Sequence, residues 1–177
     1  MRKHPIAASA TLALLIVAVA ACGGSPATGA SSPANTCVDA AAPHHAYIVV
    51  QHLSTSTAPL QKCVGFSGDT IDAQTLMDRS GVEYQAQTFS FGKAVCQVDG
   101  EPSQYSKCFA DNGPNWTLFL AIGATGATGA TGGTGATRTW ALAQTGYTQV
   151  TLHDKDALGW VYTASASPAP PPLPKEL

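Results

Sequence analysis

The sequence predicts a small α+β domain: several short strands around a single helix. Three observations carry that reading. Short runs of alternating apolar and polar residues recur along the middle of the chain, as in half-buried strands. Only Thr70–Ser80 shows helical periodicity, and its apolar stripe must pack on strands because nothing else is present to cover it. Turn signals at Gly92 and Asp99-Gly100 separate the apolar runs.

Taken in order, Ala46–Leu53 (AYIVVQHL) reads as the first strand, with Tyr47, Val49 and Leu53 on one side and Ile48, Val50 and His52 on the other. Leu60–Phe66 (LQKCVGF) alternates again: Leu60, Val64 and Phe66 share a side and Cys63 takes the opposite one. In the helix Thr70–Ser80, Thr70 is the expected cap, Asp69 and Asp72 lie near the positive N-terminal end, and Ala73, Leu76 and Met77 form the stripe. Gly81 is its stop. Tyr84–Phe91 and Lys93–Val98, separated by Gly92, read as a hairpin. Further strands are expected at Trp116–Ile122, Thr139–Ala143, Thr148–Leu152 and Gly159–Tyr162. The expected domain therefore spans 46–162.

The ends of the chain read differently. Met1–Gly24 has a basic start at Arg2, Lys3 and His4, an uncharged run from Ile6 to Ala21, and then Cys22. A short apolar run behind a basic start is a secretory signal. Val19-Ala20-Ala21-Cys22 resembles the bacterial lipobox, which implies thioether-linked diacylglycerol on Cys22 and cleavage before it, so residues 1–21 are expected to be a lipoprotein signal peptide. Residues 22–45, rich in small and polar residues, are expected to be a flexible lipidated linker. Residues 163–177 (SASPAPPPLPKEL after Thr163 and Ala164) are expected to be a solvated, extended Pro-rich tail. The expected location is the extracytoplasmic face of a membrane.

Gly123–Thr137 is a low-complexity tract of five Gly-Ala-Thr-like triplets. Glycine at every third place is a collagen pattern, but the tract contains no proline to preset the backbone and would extend only about 45 Å at ~3 Å per residue. It is expected to be a disordered loop joining two antiparallel strands, because loop-closure cost grows only logarithmically with length.

Removal of the leader takes away Arg2 and Lys3, leaving seven basic and eleven acidic residues and a formal charge of −4. No basic patch remains, so nucleic acid is not an expected partner. Four cysteines besides Cys22 suit an oxidising compartment and allow three connectivities. Cys96 and Cys108 flank a turn-rich segment and are the natural local pair, which leaves Cys37 for Cys63. No CxxC or HxxxH spacing calls for zinc, and neither a metal nor another cofactor is expected. His44, His45 and His52 read as two linker histidines and one on a strand. His153-Asp154-Lys155-Asp156 reads as an exposed turn. Ser67-Gly68 and Ser80-Gly81 lack the Gly-x-Ser-x-Gly elbow, and the tract lacks the lysine of a phosphate loop, so no enzyme is expected.

The order of short motifs carries a resemblance. A strand is followed by GDTIDAQTLMDRSGVEY, then FGKAVCQVDGEP, Cys108, NWTLFLA and WALAQTGYTQVTLHDKDALGWVY. This resembles the transcobalamin-like C-terminal domain family of small bacterial envelope domains. The resemblance covers about 46–162 and departs from the family at Lys155, where a glycine is expected, and at the tract that splits the aromatic hairpin. It implies a β-grasp or ubiquitin-like mixed sheet packed on one helix, and a surface that covers a small ligand such as a corrinoid.

These readings converge on a membrane-anchored, non-catalytic module for a small molecule or an envelope-protein partner. Trp116, Trp140, Trp160 and Tyr162 are the candidate aromatic ligand surface, with core packing as their other role. The alternative is a structural envelope lipoprotein without a small-molecule ligand.

Overall fold

The computed structural model describes residues 37–109, 111–123 and 138–177; the leader, Cys22 and all but the first residue of the Gly-Ala-Thr tract lie outside them. In chain order the elements are β1 (His44–Gln51), β2 (Leu60–Phe66), β3 (Ile71–Asp72), α1 (Ala73–Arg79), β4 (Tyr84–Phe89), β5 (Gly92–Val98), β6 (Asn115–Ala121), β7 (Ala141–Leu142), β8 (Thr151–Leu152) and β9 (Ala157–Thr163). Among the described residues the class is α+β, mostly sheet with one short helix. A five-stranded mixed sheet has the order β2-β1-β9-β6-β7. Its central pair is parallel, β1 against β9, and the remaining pairs are antiparallel. Two small ladders, β3-β8 and β4-β5, complete the pairing.

The inner face of the sheet builds the main core. Ala46, Ile48 and Val50 of β1, Val64 and Phe66 of β2, and Leu158 and Trp160 of β9 meet Leu76 and Met77 of α1. The alternation read in β1 and β2 is therefore correct, and Cys63 does face the other side. Burying each large aliphatic side chain contributes roughly 1.5–3 kcal/mol. Leu76 and Met77 are fully enclosed, which is what fastens so short a helix to the sheet.

The helix begins later than its sequence suggests, and Thr70 is not its cap. Ile71 and Asp72 pair with Leu152 and Thr151, so the chain is still extended there. Asp72 is the cap: its carboxylate accepts from the Thr75 amide at 2.8 Å and from the Thr75 hydroxyl at 2.7 Å. Those bonds, the amide first, hold the Asp72 carboxyl below the usual carboxylate range. Asp72→Ala is expected to cost about 1 kcal/mol, read as a lower urea midpoint at neutral pH. Because the folded-state value is depressed, the contribution is present above the ordinary carboxylate range and is lost as pH falls through the folded value. The wild-type and variant midpoints should therefore converge in acid.

The outer face of the sheet is covered by segments near Cys37 and by the C-terminal residues. Val38 lies parallel to Val64, donating to Cys63 O at 2.9 Å and accepting from the Gly65 amide at 2.7 Å. Cys37 and Val38, which precede the expected first residue Ala46, are thus already joined to the sheet, and the described end of the expected linker is a strap across β2. His44 and His45 belong to β1 rather than to a linker.

The Pro-rich tail is not a solvated extension. Pro171 and Pro174 are buried, and Leu173 and Leu177 pack on a cluster of Tyr47, Cys63, Ala121 and Ala157. Pro171 sits so close to Gly159 that a Cβ there would lie 2.8 Å from its ring, with Trp140 at 3.0 Å. Prolines cannot join a ladder, but their rings are apolar and can cover a face whose backbone bonds are already made. Burial, with Glu176 and Asp154 next in weight, pushes the Tyr47 hydroxyl above its usual value. With both faces covered, the run Tyr47–Val50 is enclosed throughout.

Thr148–Leu152 is not one strand. Tyr147–Gln149 is a 3-10 turn, and only Thr151–Leu152 pairs. The antiparallel pairing across the tract is present as expected: Phe119 faces Leu142 and Leu120 faces Ala141.

Candidate binding site

The Asp99-Gly100 turn organises one end of the molecule. Both residues have positive φ, 47° and 76°, as in a type I′ hairpin turn. Val98 and Glu101 exchange backbone bonds at 2.9 Å, and the Asp99 amide donates to Glu83 O at 2.7 Å. His52, just past β1, locks the turn from outside. Its Nδ1 lies 2.7 Å from a Glu101 carboxylate oxygen and its Nε2 lies 3.1 Å from an Asp99 carboxylate oxygen. The Trp116 indole donates to Glu101 O at 2.9 Å. The turn read from Asp99-Gly100 thus stands, while the partnership with His52 had no local signal, since 47 residues separate it from Asp99.

The chain leaving this turn runs to Cys108 and is bonded back to β5 through Cys96. Between this loop and the end of β9 lies a cleft of about 450 Å³, lined by Pro102, Tyr105, Lys107, Asp111 and Tyr162 among others. The loop is held by polar contacts: Gln97 Nε2 donates to Pro102 O at 2.6 Å, and the Tyr105 hydroxyl donates to Gln85 at 2.8 Å. Lys107 and Asp111 form a 2.8 Å ion pair with both side chains exposed. Such a pair adds little stability and leaves both charges accessible. Burial, then the nearby Glu101 charge, raises the Tyr162 hydroxyl above its usual value, so it stays a neutral hydrogen-bonding group at physiological pH.

Both disulfides have the pairing expected from the sequence, Cys37–Cys63 and Cys96–Cys108. Closing loops of 26 and 12 residues, they each stabilise by roughly 3 kcal/mol on chain-entropy grounds. The four candidate aromatics do not form one ligand surface. Trp116 and Trp160 are buried in the main core, 8% and 4% exposed. Trp140 lies on the opposite face of the sheet, over Gly159. Only Tyr162 reaches the cleft, its ring tilted 35° against Trp116 at 5.0 Å. The reason is register: Trp116 pairs with Tyr162 and Leu118 with Trp160 across β6 and β9, and all of them point inward. The cleft-lining Pro102, Tyr105, Lys107 and Asp111 were missed because they fall in a segment that reads only as turns. The two cysteines bracketing most of it were the available signal.

His153-Asp154-Lys155-Asp156 is a turn with His153 and Lys155 exposed, as expected, but a second cluster corrects the reading at Asp156. Asp156 is 1% exposed. Its carboxylate accepts from the Gly123 amide at 2.9 Å and the His153 amide at 2.8 Å, with Arg138 Nε at 3.4 Å. Arg138 also donates to Asp154 O at 2.8 Å. Gly123 and Arg138 are the residues on either side of 124–137, so one carboxylate joins both ends of that segment. Lys155, at φ 63°, occupies the left-handed conformation that glycine favours. Among the described residues, no group of three His, Cys, Asp or Glu side chains is placed to hold a metal.

No family model matches this chain, and neither the curated proteins nor the solved structures contain a match to it.

Proposed function

We propose that this chain is an extracytoplasmic lipoprotein, anchored to a membrane through Cys22, that presents a non-catalytic binding domain. One observation carries the reading: the four other cysteines are consumed in two disulfides, which leaves Cys22, directly behind Val19-Ala20-Ala21, as the odd one. Disulfides of this kind belong to oxidising compartments. The binding role falls to the cleft beside the Cys96–Cys108 loop, whose size and mixed charged and phenolic lining suit a small polar ligand. For a corrinoid, the ligand class implied by the transcobalamin-like resemblance, Trp116 and Trp160 would offer no surface, because they are committed to the core, and this cleft is the proposed site.

The β-grasp assignment is part of the same proposal. Its support is the strand order, with the first and last strands parallel at the centre, a hairpin partner beside the first, and the helix packed on one face.

The test of the anchor is Cys22→Ala in cells. The parent should carry lipid and fractionate with membranes, and the variant should lose the label and appear in soluble fractions. Equal membrane retention of both, with no lipid on the parent, would sink the proposal.

A further inference from the structure

We propose that the tip of the β4-β5 hairpin is a membrane-docking wedge, which inserts aromatic side chains into an anionic lipid surface beside the Cys22 anchor. The inference rests on the anchor reading for its geometry, but not for its test.

Phe91, at the hairpin turn, is 65% exposed, more than any other large hydrophobic side chain among the described residues. It is not isolated. Its ring stacks on Phe89 at 5.1 Å and 7°, and Phe109, itself 42% exposed, lies 5.6 Å and 6.1 Å from the two rings. Three phenylalanines gathered at one projecting point form a patch rather than scattered surface residues.

The wedge has a built base. Phe89 packs on a cluster of Ala94, Cys96 and Cys108, and the Cys96–Cys108 bond places Phe109, the next residue, against the hairpin. The disulfide thereby joins two segments into one aromatic platform, which lowers the ordering cost of insertion.

Charge selects a lipid surface as the occupant. From Tyr84 to Val98 there is no Asp or Glu, and the one charge is Lys93, beside the tip. The neighbouring acids Glu83 and Asp99 lie at the far end of the hairpin, where Tyr84 faces Val98 and the Asp99 amide donates to Glu83 O. Lys107 adds a second exposed cation close in sequence to Phe109, with Asp111 as its partner. In a chain of net negative charge, the hairpin that carries Phe89 and Phe91 thus holds a cation and no acid, which suits contact with anionic headgroups.

Chain length places that surface within reach. Cys22 and Cys37 are fifteen residues apart, and such a segment spans at most about 50 Å. A lipid-linked domain would therefore stay within roughly its own size of the bilayer, where a weak patch is enough to dock it.

The experiment uses residues 22–177 with Cys22→Ala, so that no acyl chain contributes, and sediments it with vesicles of phosphatidylglycerol and phosphatidylcholine. The unacylated protein is expected to bind these vesicles and to bind pure phosphatidylcholine at least threefold less. Phe91→Ser with Phe109→Ser should lower the bound fraction about tenfold, with unchanged circular dichroism. Leu142→Ser, at a site 48% exposed in β7, should leave binding as it was. Absence of vesicle binding, or binding indifferent to the two phenylalanines, overturns the proposal. So does a dimer on gel filtration that the double variant dissolves, since the patch would then cover a second copy. Lipid labelling of Cys22 in the parent is scored separately, so loss of the anchor reading and loss of the wedge are distinguishable.

Discussion

Asp156→Ala is expected to destabilise the domain by about 3 kcal/mol, measured as a fall in the urea midpoint at unchanged slope. The carboxylate is buried and serves three donors at once: the Gly123 amide, the His153 amide and the Arg138 guanidinium. Alanine leaves two amides and a largely buried cation without that acceptor. Removing one partner of a buried pair costs more than the pair itself contributes, because the survivor keeps its desolvation penalty. The backbone around the site couples this loss to the sheet. Asp156 O accepts from the Tyr47 amide at 3.0 Å, and Lys155 N donates to His45 O at 2.6 Å, so the turn sits at the junction of β1 and β9. Asp154→Ala is the contrast. That carboxylate accepts the His45 amide alone among the bonds resolved for it, and the expected loss is about 1 kcal/mol. Equal small losses for both variants would show that Asp156 does not join the two sides of the 124–137 segment.

Gly65→Ala is expected to cost roughly 2–3 kcal/mol and to release the strap over β2. A Cβ on Gly65 would fall 2.1 Å from the Asp39 carbonyl oxygen and 2.8 Å from the Ala42 methyl. The first of these is backbone, so no side-chain rotation relieves the clash. The strap must lift, and with it go the bond from the Gly65 amide to Val38 O and the contacts of Arg79, which donates to both Asp39 and Gly65 O. The Cys37–Cys63 bond still holds residue 37 nearby, so the change is local. Amide exchange should accelerate at Val38 and Ala42, whose amides donate within or from the strap, while Ile48 and Val50 keep their protection. Wild-type exchange at Val38 in the variant would refute the close crossing.

Arrangements set by neighbouring residues were readable in the sequence. The alternation in Leu60–Phe66 separates Val64 from Cys63, because successive side chains in a strand face opposite sides. The stripe Ala73, Leu76 and Met77 marks a helix face, Asp99-Gly100 supplies the two left-handed residues of a tight turn, and a turn-rich loop between Cys96 and Cys108 favours their local pairing. In the candidate site, the disulfide bracketing the cleft loop was visible in this way. The lipobox at Cys22 is likewise a contiguous signal, and its consequence remains a proposal.

Tertiary structure alone decided what depends on which surfaces meet. Whether Trp116 or Trp140 is core or covering is set by pairing between β6, β7 and β9, and a strand one register away would turn each ring to the other face. The start of α1 moved to Ala73 because β8, some 80 residues later, claims Ile71 and Asp72 as an extended pair. The prolines and leucines of the tail read as solvated until the sheet offers an apolar face needing cover, which is why Pro171, Leu173 and Pro174 lie against it. Asp156 reads as a surface acid until Gly123, His153 and Arg138 bring their donors to it. Composition assigns a residue its preferences, and the energy of a buried contact depends on the partner that a distant part of the chain delivers.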